Sequence, residues 1–130
     1  MDVIRHGGCN CKAVRIRLQG QPLRVGRCHC LTCRKQTGAV YMPYAVWRAA
    51  DVSVTGGARG WVDGGQVRHF CPACGSGLFA TDDTDEVEIR LGCLDEAPSG
   101  LVPTYELWTV RREAWVPPLP GAVQHTGNRR

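Results

Sequence analysis

Eight cysteines punctuate the 130 residues in a pattern that leaves the chain little freedom: Cys9-x-Cys11, Cys28-x-Cys30-x-x-Cys33, Cys71-x-x-Cys74 and a lone Cys93. Within Cys28-His29-Cys30-Leu31-Thr32-Cys33 three thiols are too close in sequence for ordinary core packing to be the reason. Thiolates suit a borderline-soft cation, and zinc takes them at about 2.3 Å with a preference for four ligands in a tetrahedron. Three protein ligands leave a fourth position for water or substrate, which is the arrangement catalytic zinc needs. The fold must therefore bring sulfurs together, and the other cysteines decide whether the triplet stays open.

Disulfides are the competing use of so many cysteines. The N-terminus carries no apolar stretch of the secretory kind, which predicts a cytoplasmic chain. Clustered thiols in such a chain point to metal rather than to bridges, and the CxC pairs Cys9/Cys11 and Cys28/Cys30 are poor candidates for bridging within the pair. No stretch approaches the ~18–20 apolar residues of a membrane helix, so no membrane partner is expected. The formal charge of +4 invites a nucleic-acid reading. Two divalent ions would add four charges and seven bound thiolates remove seven, leaving a chain near neutrality. Arg34-Lys35, Arg111-Arg112 and Arg129-Arg130 are only short pairs, so no basic stripe for nucleic acid is evident.

Sixteen glycines among short apolar runs predict an all-β chain with little helix. Gly7-Gly8 lets the backbone turn tightly before Cys9. Val14, Ile16 and Leu18 alternate with Arg15 and Arg17, the period of a half-buried strand. Leu23 to Arg27 is a second strand delivering Cys28, and Leu31 to Thr37 offers one or two helical turns stopped by Gly38. Pro43 demotes the stretch Ala39 to Trp47 to an edge or bulged strand. Asp63-Gly64-Gly65 is a hairpin turn into Gln66 to Phe70, and Leu78-Phe79-Ala80 returns from a knuckle at Cys71-Pro72-Ala73-Cys74. Val87 to Leu91 and Tyr105 to Val110 complete the strands. Residues 1–116 read as a single domain and residues 117–130, rich in Pro, Gly and polar residues, as a flexible tail.

Cys71-x-x-Cys74-Gly75 has the form of a zinc knuckle, the glycine permitting a left-handed backbone. It lies between strand-like runs rather than at a helix start, where redox CxxC pairs usually sit. Cys9 and Cys11 are its natural partners, closing one four-cysteine site. Cys28, Cys30 and Cys33 then remain with an open position. Two alternatives stay open: Cys93 as the triplet's fourth ligand, or a histidine closing it. The ordinary expectation for Cys93 is a small buried hydrophobe, and for His6, His29 and His69 an unliganded ring.

The order Gly8-Cys9-x-Cys11, Cys28-x-Cys30-x-x-Cys33-Arg34 and Phe70-Cys71-x-x-Cys74-Gly75-Ser76, followed by Leu91-Gly92-x-Leu94-Asp95 and the ending Pro103 to Trp115, resembles the glutathione-dependent formaldehyde-activating (GFA) family, which includes centromere protein V. The resemblance implies a β-tent fold of antiparallel sheets around a structural zinc. It matches Cys9, Cys11, Cys71 and Cys74 to structural ligands, and Cys28, Cys30 and Cys33 to the ligands of a catalytic zinc, hence two Zn²⁺ per chain with the second site open to partial occupancy. It also implies carbon–sulfur lyase chemistry on a small thiol–aldehyde adduct such as S-hydroxymethylglutathione. Cys93 departs from the small hydroxyl residue many members carry there, which keeps alive a non-enzymatic module with two structural metals. Arg27, Arg34 and Lys35 are the expected cations beside the triplet. The oligomeric state is not legible.

Overall fold

The computed structural model describes residues 3–129. Met1, Asp2 and Arg130, the outer ends of the expected domain and tail, lie outside the described residues. Strands β1 (Ile4–Gly8) and β2 (Arg15–Gln19) pair antiparallel, and the turn between them carries Cys9 and Cys11. Gly8 has φ 147°, and a Cβ there would stand 2.2 Å from the Val14 carbonyl oxygen, so this turn tolerates only glycine. The alternation in β2 is realised: Val14, Ile16 and Leu18 are at most 1% exposed, with the arginines on the opposite face.

β3 (Arg24–Cys28) ends on the first triplet cysteine, and α1 (Leu31–Thr37), the single α-helix among the described residues, follows at once. Gly38 closes it in the left-handed conformation, φ 72°, donating its N–H to Arg34 O. Then come β4 (Met42–Arg48), β5 (Val52–Thr55), β6 (Arg59–Asp63), β7 (Gln66–Phe70), β8 (Gly77–Thr81), β9 (Glu86–Arg90), β10 (Tyr105–Leu107) and β11 (Val123–Gln124). The strands form a small sheet, β1-β2-β5, and a large one, β11-β10-β3-β4-β9-β8-β7-β6. The all-β class with little helix is as expected. Every pairing is antiparallel except those of β10, which runs parallel to β3 and to β11.

The large sheet has two unlike faces. Val25, Ala45, Trp47, Val87 and Ile89 pack with Val14, Ile16 and Leu18 of the small sheet into the main core. The intervening residues of β4, Tyr44 and Val46, join Cys28, Cys33, Met42 and Tyr105 in a second cluster on the other side. Period-two alternation thus sends one strand's side chains into a dry core and toward the triplet at once.

Three local expectations need correction. β4 is an interior strand between β3 and β9, not an edge. Pro43 stands one residue outside the ladder with β9, which begins at Tyr44, so its missing N–H breaks no bond on that side. The strand expected over Tyr105 to Val110 stops at Leu107, because Trp108 turns left-handed at φ 56° into a 3₁₀ turn, Thr109–Arg111. The segment from 117 onward carries β11 and is tied down: Leu119 N and Gln124 Nε2 donate to Glu106 Oε2 at 2.8 and 2.9 Å, and Arg27 donates to Pro117 O at 2.8 Å. Glu106 is fully buried, and a buried carboxylate must be satisfied or fold at a loss. Sequence composition reads this strap as loose because it cannot see that carboxylate.

Candidate metal centres

The β1–β2 turn and the β7–β8 hairpin tip bring Cys9, Cys11, Cys71 and Cys74 together, their sulfurs all within 4.8 Å of one another. Cys9 and Cys11 sulfurs are 3.6 Å apart, and those of Cys11 and Cys71 are 3.7 Å apart. Four sulfurs at about 2.3 Å from one ion in a tetrahedron would be spaced about 3.8 Å from each other. A disulfide would need about 2.05 Å, and all eight cysteines are free thiols. The donor set therefore fits a tetrahedral metal. Backbone amides support it, with Val14 N donating to Cys9 Sγ at 3.2 Å. In the knuckle Gly75 is left-handed, φ 81°, and its N–H bonds Cys71 O at 2.8 Å. Ser76, the first of several hydrogen-bond partners, draws the Cys74 thiol down to about 5, favouring the thiolate a metal takes.

The second cluster is built by β3 and α1. Cys28 closes the strand, Cys30 is the helix N-cap, accepting from Cys33 N at 3.3 Å, and Cys33 lies in the first turn. These three sulfurs also lie within 4.8 Å of one another, and no fourth histidine, cysteine or carboxylate joins them among the described residues. Hydrogen bonding from the Cys28 and Cys33 thiols, helped by the Cys33 N–H and by Arg68, pulls Cys30 down to about 2, while its two neighbours' bonds to it push Cys28 up.

Cys93 is not part of this group. It is buried in the main core with its thiol aimed at Leu78 O at 3.6 Å, and burial pushes it up to about 11. The histidines are elsewhere too. His29 is fully buried and turned away to Glu106, Nε2 to Oε1 at 2.7 Å, and His69 meets Thr81 at 3.0 Å and stacks on Phe79. His6 is exposed on β1.

The triplet opens into a cavity of 620 Å³, a volume suited to a small-molecule ligand. Its charged walls are residues the sequence did not single out. Arg68, only 5% exposed, holds both terminal nitrogens 3.7 Å from Cys33 Sγ and is steadied by Gln36 and Asp63 at 3.2 and 3.3 Å. Glu88 faces the same cavity and accepts from Gln66. Burial holds its carboxyl above the usual range. The expected cations are engaged elsewhere: Arg27 pairs with Glu106 at 2.6 Å, Arg34 with Glu113 at 2.6 Å, and Lys35 is exposed. Strand parity was the available signal for Glu88, since it alternates with core residues Val87 and Ile89. What lies on the far face is decided by long-range packing.

Residues 4–111 match the family described as glutathione-dependent formaldehyde-activating enzyme. The chain belongs to this family. A Halomonas elongata protein named provisionally as such an enzyme is 34% identical over 91 residues, covering 62% of this chain and 57% of that protein. A crystal structure of a Rhodobacter sphaeroides protein has a TM-score of 0.60 to this fold at 25% identity, covering 75% of this chain and 97% of that one. Both cysteine clusters fall inside the family match, whereas the strap beyond Arg111 lies outside it.

Proposed function

We propose that this family member is a zinc-dependent carbon–sulfur lyase that interconverts a small thiol plus an aldehyde with their hydroxyalkyl thioether, glutathione and formaldehyde with S-hydroxymethylglutathione being the pair the family name suggests. The observation that carries it is the three-sulfur cluster on a cavity wall with no fourth protein ligand among the described residues. Cys9, Cys11, Cys71 and Cys74 hold a structural zinc in this reading, and Cys28, Cys30 and Cys33 a catalytic one. When bound at the triplet, zinc supplies Lewis acidity and a position for thiolate or aldehyde oxygen.

The chain's own residues do the rest. Three thiolates around a divalent ion leave a charge of −1, which the Arg68 guanidinium beside Cys33 offsets. In the forward direction the carbon–sulfur bond forms as the carbonyl π bond opens, and the thiol proton ends on the new hydroxyl. Glu88 is the carboxyl lining the cavity, and its raised pKa suits it to carry that proton. Tyr44 and Tyr105, joined hydroxyl to hydroxyl at 2.8 Å, stiffen the wall beneath. A thiol substrate of this kind suits a reducing compartment, and a cytoplasmic location goes with this reading.

Exchange between formaldehyde, glutathione and their adduct, followed by NMR with metal-loaded protein, tests the reading. Acceleration over the uncatalysed exchange, abolished in C28S, is expected. No acceleration with both sites loaded overturns it. Four sulfur ligands at each metal by X-ray absorption would favour the non-enzymatic module instead.

A further inference from the structure

The wall of the triplet cavity farthest along the chain is made by the strap. β11 lies parallel to β10, and the strap then crosses Trp108 from both sides: Trp108 N donates to Gly127 O at 2.9 Å and Trp108 Nε1 to Asn128 Oδ1 at 3.0 Å. This lays Asn128 and Arg129 on the rim of the cavity that the three cysteines open into. Among the described residues three arginines line that cavity, and they differ in their partners. Arg24 is taken by both oxygens of Glu86, at 2.7 and 3.3 Å, and Arg68 by Cys33, Gln36 and Asp63. Arg129 makes no hydrogen bond or ion pair among the described residues and lies over the Tyr105 ring, 5.7 Å from its centroid.

Arg129 also lies within electrostatic reach of Glu86. A guanidinium without a hydrogen-bonded partner among the described residues, on the rim of a site for a small thiol, still has an obvious complement in a carboxylate, which its planar fork matches with two parallel hydrogen bonds. We propose that the strap forms an anionic subsite in which Arg129, beside Asn128 and Trp108, takes a carboxylate of the thiol substrate and so selects charged over neutral thiols. The proposal deepens the lyase reading and rests on it. Asn128 and Arg129 lie beyond Arg111, where the family match stops, whereas the three cysteines and Trp108 lie within it.

The test uses binding of a thioether that cannot react, so that it does not depend on turnover. Metal-loaded protein is titrated with S-methylglutathione and with its dimethyl ester, whose carboxylates are masked. An exposed charge pair of good geometry predicts that wild type prefers the free acid by about fivefold. R129Q should lose that preference and R129K keep part of it. R48Q, which removes one exposed positive charge elsewhere, should match wild type. Equal affinity of wild type for acid and ester, an undiminished preference in R129Q, the same loss in R48Q, or no binding of either ligand would each overturn the subsite. A preference that vanishes only in R129Q upholds the subsite even if the NMR exchange shows no lyase activity, so the two readings fail separately.

Discussion

Glu88, half-buried, and Cys93, buried, are five residues apart and face different environments. Glu88 faces the polar cavity, and its folded pKa stands above its unfolded value because burial penalises the charge. Its neutral form therefore stabilises the fold at low pH, and that contribution is lost as pH rises through the folded pKa. E88Q should consequently gain thermal stability relative to wild type as pH climbs from below about 4.5 toward neutrality, while the rate of thiol–aldehyde exchange falls by about 10²-fold, the usual scale of a lost proton carrier. Melting curves across pH and NMR exchange read the two effects, and a constant stability difference would contradict the burial argument. Cys93 sits in the dry core. C93A should leave the metal content untouched and cost about 1–2 kcal/mol in urea denaturation through the small cavity it opens. Loss of one metal equivalent in C93A would instead make Cys93 a ligand.

Among the elements, the strap gathers around a buried carboxylate. Glu106 accepts from Arg27, His29, Leu119 N and Gln124, and lies 3.3 Å from Arg112. Burial opposes its charge, yet these donors outweigh burial and hold it well below the usual carboxylate range. The stabilisation is present above the unfolded value and disappears as pH falls through the folded one. E106A would strip a buried arginine of its partner, a defect that typically costs about 3–5 kcal/mol. Hydrogen exchange should show the first consequence in the strap: the amides of Leu119, Val123 and His125, bonded to Glu106 Oε2, Thr104 O and Glu106 O, should lose protection before those of β4 and β9. Uniform loss across the sheet would mean the strap is not a separate unit. Composition could not announce this arrangement, because Pro, Gly and polar residues look alike in a loose tail and in an anchored strap.

At the scale of the molecule, the two cysteine clusters do different structural work. The four-cysteine cluster joins the small sheet's turn to the tip of the β7–β8 hairpin, so two sheets meet at one point. The triplet gathers only the end of β3 and the start of α1, a local stretch. Metal analysis of purified protein should give two zinc equivalents, falling to one in the C28S/C30S/C33S variant with an unchanged circular dichroism spectrum. C71S/C74S should lose the fold as well as the metal, since the binding energy of a structural zinc is folding energy. Retention of both metals in the triple variant would refute the partition.

Local chemistry carried much of this in the sequence. Thiol spacing marked the two clusters, because ligands of one ion must be neighbours and short CxC and CxxC turns make them so. Period-two alternation around Val14, Ile16 and Leu18 gave the strand and its buried face, and Gly38, Gly64 and Gly75 gave the turns, since few other residues adopt those backbone conformations cheaply. Cys93 lies in the core as the ordinary expectation had it, while tertiary structure alone decided which cations meet the triplet and what the strap covers. Arg27 and Arg34 adjoin the cysteines in sequence but pair with Glu106 and Glu113 about eighty residues away, whereas Arg68 arrives from across the sheet. The triplet itself was legible from its first reading. Its counter-charge and its cavity depend on pairings between strands distant in the chain, and those are settled only when buried charges find their partners.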